Sequence, residues 1–329
     1  MFHEKSTEKA FKSLHNDKNL LKRSKFSSTK PSGLSNSLNK KLGQHLLINQ
    51  GVLEKILRAA EIKSTDTVLE IGPGTGNLTM KLLGVARRVR AFDIDERMVG
   101  DVKRKALSMG YTNLDVFFGD ALRSDFGSFD VCVANLPYNI SSPFIFKLIA
   151  HRPTFRVSIL MFQKEFADRL LAKPNDKNYS RLSINVQIYC KVEVVCQLGA
   201  KSFTPPPLVD STVVKLVPKC PSINIDFKEW DGLLRICFMR KRKTLRSVFM
   251  VSSVLKLLHE NLKIWNEQHY CNENVLIKDV VENVLQATNY SNKRAVNLGI
   301  NDYLELLLAF HEKNIHFQNV GINLDCDMK

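Results

Sequence analysis

Short apolar runs alternate with segments of helical periodicity between residues 52 and 162. A first helix is predicted at 52–60, and strands are predicted at 68–71, 89–94, 115–118, 131–134 and 157–162. Strands that are apolar on both faces need helices on both sides, so the pattern predicts an α/β fold with a doubly wound, mostly parallel sheet. Ligands bind such sheets at the carboxyl ends of the strands.

Two later strand-like runs, at 189–198 and 211–217, follow a different pattern. The segment that joins them contains 202–207, which is too short and too rich in proline for a crossover helix. The two runs are therefore predicted to pair antiparallel, as a terminal hairpin of the sheet.

Helical periodicity returns near the C-terminus, for example at 230–238 and 303–310. The first residues of the chain are instead rich in Lys, Ser and Asn and have no apolar periodicity. We therefore predict a basic, disordered N-terminal tail at 1–41, a Rossmann-like catalytic domain at 42–220 and a small α-helical domain at 221–329.

The charge balance points to a polyanionic partner. There are 48 Lys plus Arg against 33 Asp plus Glu, a formal net charge of +15, and ten of these bases lie in residues 1–41. No apolar run approaches the roughly 18 residues that span a bilayer, so no membrane association is expected. The seven cysteines form no CxxC pair, so neither disulfides nor a metal site is expected, and a reducing compartment fits best.

A glycine-rich turn follows the first predicted strand and contains Gly72, Gly74 and Gly76. Glycines here let the backbone lie directly against a ligand. A dinucleotide enzyme or a plain tight turn would show the same pattern.

The second predicted strand ends at Asp93 and Ile94, about 20 residues past the glycine turn, where a carboxylate can accept hydrogen bonds from both ribose hydroxyls. This spacing predicts a nucleotide-containing cofactor bound by Asp93. The neighbouring Asp95 is interpreted as a solvated side chain or a cap for the following helix.

The third predicted strand ends at Asp120 and Ala121. A carboxylate beside a backbone amide matches the amine and the ring nitrogen of an adenine edge, and a helix cap is the alternative. Because three predicted strands end in this way at the same edge of the sheet, we favour a cofactor-binding role for Asp120 over the helix cap.

The segment after the fourth predicted strand is Asn135, Leu136, Pro137 and Tyr138. The proline stops a ladder or helix, so the Asn amide and the neighbouring carbonyls turn into the crevice. The Asn135 oxygen and the Leu136 carbonyl could accept the hydrogens of a planar amine and align its nitrogen for methyl transfer, with Tyr138 stacked on the ring.

These motifs resemble the ribosomal RNA adenine dimethyltransferase family, most closely its eukaryotic nucleolar branch. The resemblance covers roughly 42–318 and rests further on the segments 42–47, 134–138, 160–166 and 203–207. It implies the class I methyltransferase fold, S-adenosylmethionine as cofactor with S-adenosylhomocysteine as product, and no metal.

The resemblance also implies roles for individual residues. Those expected at the cofactor are His45, Leu47, Gly72, Gly74, Gly76, Asp93, Ile94, Asp120, Ala121 and Asn135. Phe203 would stack the flipped adenine from the side opposite Tyr138. Asp93 stands where many relatives carry Glu, and residues 262–275 align poorly, but neither departure affects the predicted activity.

A basic cluster lies in the predicted helical domain. Its members are Arg235, Arg240, Lys241, Arg242, Lys243 and Arg246, with no acidic residue among them. A solvated helix face is one interpretation; we favour RNA phosphate contact, because unpaired bases repel one another unless a polyanion is bound.

The motifs alone predict methylation of a planar amine. The resemblance further implies dimethylation of two adjacent adenines in 18S-type small-subunit ribosomal RNA, by a monomer acting on a pre-ribosomal particle in the nucleolus. Two other enzyme hypotheses are methylation of adenine in DNA and of a side-chain amide in a protein. A non-enzymatic alternative is a ribosome-assembly factor or an organellar transcription factor that uses the fold to bind nucleic acid, in a mitochondrion or another organelle.

Overall fold

The computed structural model describes residues 45–221, 223–269 and 276–318. The predicted tail at 1–41 and the motif residues 42–44 lie outside this part of the chain. The strands are β1 (Leu46–Leu47), β2 (Thr67–Ile71), β3 (Arg88–Asp93), β4 (Leu114–Phe118), β5 (Val131–Asn135), β6 (Val157–Gln163), β7 (Cys190–Leu198), β8 (Phe203–Thr204) and β9 (Ser211–Pro218).

The helices alternate with the first strands and then follow one another at the C-terminus. They are α1 (Gln50–Ala60), α2 (Asn77–Leu83), α3 (Glu96–Ser108), α4 (Ser141–Ala150), α5 (Lys164–Leu171), α6 (Arg181–Tyr189), α7 (Phe227–Met239), α8 (Leu245–Phe249), α9 (Ser252–Gln268), α10 (Ile277–Ala287) and α11 (Ile300–His311).

Seven of the described strands form one sheet in the order β4-β3-β2-β5-β6-β9-β7. The pairs from β4 to β6 are parallel, whereas β9 pairs antiparallel with both β6 and β7. The predicted class I methyltransferase fold is confirmed, including the antiparallel hairpin. Each predicted strand of this sheet differs from the observed one by at most one residue at either end.

The sheet changes direction between β2 and β5. The chain runs outward from β2 through β3 to β4, and then returns to place β5 on the other side of β2. In the β2–β5 register Ile71 lies opposite Ala134, so Gly72 and Asn135 leave the sheet side by side. Strand ends that diverge in this way open a crevice, which is where ligands bind in open α/β sheets.

Helices cover both faces of the sheet, as the apolar strands require. Val68 packs in one buried cluster with residues of α1, α2 and α3, whereas the adjacent Leu69 packs in another with residues of α4, α5 and α6. Neighbouring residues of a strand point to opposite faces, so each cluster is the core of one layer.

The C-terminal helices share a third buried cluster, centred on Trp230, Leu234 and Tyr303. Tyr179 and Ile184, which precede the hairpin in the chain, belong to the same cluster. In the described residues, no helix is long and apolar enough to cross a membrane.

A two-stranded ladder lies apart from the main sheet. β1 pairs antiparallel with β8, with Leu46 opposite Thr204 and Leu47 opposite Phe203. We call residues 45–47 the strap. The ladder ties the strap to the loop between β7 and β9.

Candidate active site

The glycine turn has backbone conformations that side chains tolerate poorly. Gly72, Gly74 and Gly76 have φ angles of 71°, 54° and 77°. A Cβ on Gly74 would lie 2.7 Å from the Leu46 Cδ2 atom, and one on Gly72 would lie 3.2 Å from the Asn135 carbonyl oxygen. The glycines therefore let the turn lie against both the strap and the end of β5.

Asp93 ends β3 beside this turn. Its carboxylate accepts hydrogen bonds from the backbone amides of Gly74 (3.3 Å) and Asp95 (2.9 Å). Burial raises the pKa of Asp93, and these hydrogen bonds oppose that shift. The carboxylate is thus fixed at the cavity wall, next to the exposed Ile94.

Asp95 caps helix α3, which was one of the two roles predicted for it. Its side chain accepts a hydrogen bond from the Arg97 amide at 3.1 Å. The alternative role as a solvated side chain is wrong, because Asp95 is buried and its carboxylate also pairs with the Arg97 guanidinium at 2.7 Å.

Glu70 is a site residue that sequence reasoning missed. It is 2% exposed, and its Oε2 atom is buried without a hydrogen-bond partner. Burial raises the pKa of Glu70 to about 8, the nearby Thr79 hydroxyl opposes the shift, and the Asp93 carboxylate adds to it. Because Glu70 lines a cavity, this oxygen is available to a ligand donor. An acid inside the otherwise apolar run 68–71 was the available signal.

Asn135 is held by the strap. Its Nδ2 atom donates to the His45 carbonyl at 2.9 Å. The Oδ1 atom accepts no hydrogen bond from the described residues, so it can act as the acceptor toward the crevice. Pro137 then begins a short 3-10 turn over Tyr138–Ile140, which ends the extended backbone as predicted.

Tyr138 lies between the strap and β9. Its hydroxyl lies 3.0 Å from the Ser211 hydroxyl, and its ring stacks on His45 with centroids 6.0 Å apart. The His45 Nδ1 atom in turn lies 2.8 Å from the Pro205 carbonyl oxygen. The strap therefore crosses the crevice from Asn135 to the β7–β9 loop.

Two small cavities open at these strand ends. One, of about 60 Å³, contains nine of the predicted site residues: His45, Gly72, Gly74, Asp93, Ile94, Asn135, Leu136, Pro137 and Tyr138. The other, of about 40 Å³, contains Leu47 and Glu70 and shares Gly72 and Asn135 with the first. Both are smaller than the roughly 300 Å³ of a typical ligand pocket, and residues of the strap form part of the wall of each.

Some predicted site residues do not line either cavity. The Asp120 carboxylate accepts a hydrogen bond from the Leu122 amide at 2.8 Å within a turn. Its alternative role as a helix cap is wrong, because no helix of the described part of the chain begins there. Ala121 is buried in the core of one layer, and Gly76 is the N-cap residue of helix α2.

Phe203 does not face the crevice in this structure. Its ring is 3% exposed and packs in the sheet core with Leu47 and Leu198. Its place in the hairpin loop is as predicted, but the ring is available to a base only if β1 and β8 shift.

The basic cluster spans the end of α7, a turn and the start of α8. Arg235 pairs with Asp231 at 2.9 Å, and Arg246 pairs with Glu282. The premise that these bases lack acidic partners is therefore wrong for two of the six, because the partners lie outside the twelve-residue stretch. Arg240, Arg242 and Lys243 are exposed in the turn, and Lys241 is half-buried.

Comparison with known proteins identifies the family of this chain. The family model described as "Ribosomal RNA adenine dimethylase" matches residues 35–293. A protein of Caenorhabditis elegans described as a probable dimethyladenosine transferase is 47% identical over 300 residues, covering 90% of this chain and 97% of that protein. The dimethyladenosine transferase of Saccharomyces cerevisiae is 43% identical and covers 85% of this chain and 90% of its own length.

A solved structure is similar as well. The crystal structure of a dimethyladenosine transferase from Plasmodium falciparum superposes with a TM-score of 0.81 at 54% identity, covering 83% of this chain and all of that one. Both the sequence and the fold therefore match over most of the chain. This chain belongs to the ribosomal RNA adenine dimethylase family.

Proposed function

We propose that this protein transfers methyl groups from S-adenosylmethionine to the exocyclic amine of two adjacent adenines in small-subunit ribosomal RNA. Two transfers occur on each base, and S-adenosylhomocysteine is released after each. Family membership supports the reaction class. The observation that supports amine alignment is Asn135, whose Oδ1 atom is left as the acceptor when Nδ2 bonds the strap.

The residues at the strand ends fit the cofactor. The positive-φ glycines form a cradle that Cβ atoms would fill, Asp93 offers a fixed carboxylate for ribose hydroxyls, and Glu70 Oε2 is an unsatisfied acceptor for a cationic amine. When bound, S-adenosylmethionine supplies a methyl group already activated by its sulfonium. The second oxygen of Asp120 remains the proposed acceptor for the adenine amine of the cofactor.

Asn135 and Leu136 align the target nitrogen. The amine lone pair of adenine is delocalised into the ring, and acceptors that hold both amine hydrogens favour a more nucleophilic nitrogen. With the methyl group supplied by the cofactor, the alkylated nitrogen would carry a positive charge and would lose a proton to solvent. This sequence of events requires no side-chain general base.

Tyr138 holds the flipped base by stacking. His45 now covers its ring at a centroid distance of 6.0 Å, so the incoming adenine replaces His45 on that face. Extrusion of the base is needed because an amine inside a helical stack cannot reach the methyl group. Phe203 completes the clamp only after β8 moves, as its burial requires.

The exposed bases of the turn between α7 and α8 fit RNA phosphates. Arg240, Arg242 and Lys243 have no ion pair within the described residues, and a polyanion relieves their mutual repulsion. We assign the substrate to a pre-ribosomal small-subunit particle, bound by a monomer in the nucleolus. The basic tail at 1–41 would add RNA affinity or carry the localisation signal.

A methyl-transfer assay tests this function. The full chain is incubated with labelled S-adenosylmethionine and immature small subunits, naked small-subunit RNA or DNA, with Asn135→Ala as the matched inactive control. We expect dimethyladenosine in the small-subunit RNA of the particles. Methylation of DNA in preference to RNA would overturn the substrate assignment, and no transfer to any adenine would overturn the activity.

A further inference from the structure

A carboxylate and two imidazoles meet among the C-terminal helices, away from the crevice. Glu229 lies on α7, His311 ends α11, and His316 follows it. The Glu229 Oε1 atom lies 3.1 Å from His316 Nδ1, and Oε2 lies 3.1 Å from His311 Nε2. All three candidate ligand atoms lie within 4.8 Å of one another.

The surrounding residues hold this cluster in place. The Phe317 amide donates to Glu229 Oε2 at 2.7 Å and orients the carboxylate. The His316 ring stacks on Trp265 at 3.7 Å on one side and on His311 at 4.6 Å on the other. Gly232 permits the close approach, because a Cβ there would lie 2.2 Å from the Phe317 carbonyl oxygen.

The charge of Glu229 lacks a permanent counterion. The residue is 3% exposed, and within the described residues its ion-pair partners are the two histidines, with neither Lys nor Arg. Buried carboxylates are paired or coordinate metals, because an isolated buried charge is costly. A divalent cation would neutralise this one without requiring protonated imidazoles.

We propose that Glu229, His311 and His316 bind a Zn²⁺ ion. Zn²⁺ prefers imidazole and carboxylate ligands at about 2.0–2.1 Å, and a tetrahedron of that size has edges of about 3.3 Å. Each separation of 3.1 Å is close to such an edge, but the two involve different oxygens of Glu229. With one ligand atom from each residue, the three atoms now lie within 4.8 Å of one another and have to move closer around the ion. Water takes the fourth position, because the His311 side chain is 30% exposed. The Phe317 amide then orients the ligating carboxylate from outside the coordination shell.

The bound ion would fasten the segment that follows α11 to helix α7. Sequence patterns predict no metal here, because the site joins positions 82 and 87 residues apart rather than a local cysteine pair. The site contains no residue of the crevice, so this proposal is independent of the proposed methyl transfer.

Calorimetry on the full chain tests the site. Protein stripped with a chelator and dialysed is titrated with Zn²⁺, and Co²⁺ is used in parallel because its visible absorption reports tetrahedral coordination. We expect one site, weakened at least 10-fold in His311→Gln, with a thermal unfolding temperature that Zn²⁺ raises in the parent but not in the variant. His259→Gln on α9 is the matched control, since His259 is exposed and outside the cluster.

His311→Gln is the first variant because His311 is the more exposed histidine of the two, and Glu229→Gln is the second. Circular dichroism establishes that each variant is folded. Equal Zn²⁺ affinity in the parent and in folded His311→Gln, or no Zn²⁺ binding by the parent, would show that Glu229 is a hydrogen-bond acceptor only.

Discussion

The crevice and the basic turn at 240–243 are both predicted to contact substrate, but they are built differently. In the crevice, groups far apart in the chain are fixed to each other, as His45 is to Asn135 and Asp93 is to Gly74. In the turn, neighbouring side chains extend into solvent.

This difference determines how each region should respond to substitution. Fixed, buried groups act through geometry, so the loss of one atom pair has a large and specific effect. Exposed charges act through a summed potential, so each contributes little and salt weakens them together. The expected effects therefore decrease from the crevice to the basic turn.

The largest effect is expected for Asn135→Ala. Without the acceptor oxygen the amine is no longer aligned, and single-turnover methylation should fall by about 100-fold or more, as for other preorganised polar groups. RNA affinity should change little, because the substitution removes no cation. Rapid-quench methylation at saturating cofactor measures the step, and a normal rate would mean that Asn135 only anchors the strap.

Asp93 and Asp120 should differ although both end a strand. Asp93 is buried at the cavity, so Asp93→Ala should weaken S-adenosylmethionine binding by about 10- to 150-fold, or about 1.5–3 kcal/mol. The Asp120 side chain is 37% exposed and caps its own turn, so Asp120→Ala should cost about 0.5–1.5 kcal/mol of affinity. Calorimetry measures the S-adenosylmethionine affinity of both variants. Equal losses of affinity would place both carboxylates at the cofactor.

Tyr138 and Phe203 should separate stacking from packing. Tyr138→Ala should lower the single-turnover rate about 5- to 150-fold, since stacking contributes about 1–3 kcal/mol per base. Phe203→Ala should destabilise the fold by about 3–5 kcal/mol because its ring is buried. Phe203→Leu keeps most of the buried volume but removes the aromatic ring, so it tests stacking on the base separately from packing. If this variant methylates as fast as the parent, Phe203 serves packing alone.

Glu70 should make stability depend on pH. Its pKa is raised from 4.5 to about 8 in the fold, so above pH 4.5 the unfolded chain loses the proton first. Stability relative to Glu70→Gln should therefore fall between about pH 4.5 and 8, by at most about 1.4 kcal/mol per pH unit. Denaturant unfolding of both proteins across this range is the measurement. Parallel curves would mean that Glu70 is not perturbed.

The smallest effects belong to the basic turn. Arg240→Ala, Arg242→Ala and Lys243→Ala should each weaken RNA binding a few-fold and lower the salt slope by about 0.7 for each phosphate that is no longer neutralised. Arg246→Ala is the comparison, because Arg246 already pairs with Glu282 and should matter less. Binding titrations at several salt concentrations measure both quantities; an unchanged salt slope in all four variants would place the RNA elsewhere.

The sheet could be predicted from the sequence because burial leaves a strong local pattern. Strand β6, for example, is buried at every position except its last, and the apolar run in the sequence ends within one residue of it. The ladder of β1 and β8 was not predicted, because strands of two residues have no periodicity to detect.

Within the site, the positions of the strand ends could be predicted from the sequence, but the directions of the side chains could not. The sequence placed Asp93 and Asn135 at the crevice, since their positions follow from the strand order. It could not show that the Asp120 carboxylate turns back onto Leu122, or that Asp231 pairs with Arg235, because such contacts depend on rotamers and on packing between elements. Glu70 was missed because an acid within a predicted strand does not by itself show whether its side chain is buried and reaches a cavity.

The ladder of β1 and β8 has a consequence for repeated turnover. Dimethylation of one base consumes two cofactor molecules, so the spent cofactor has to leave and a fresh molecule has to enter between the two transfers. The strap is joined to β8 by a two-residue ladder and bonded by the Asn135 and Asn77 side chains, and its Leu47 is buried in the same cluster as Phe203. Outward movement of the strap would therefore carry β8 and Phe203 with it, so that cofactor exchange between the two transfers would be coupled to release of the Phe203 ring from the core.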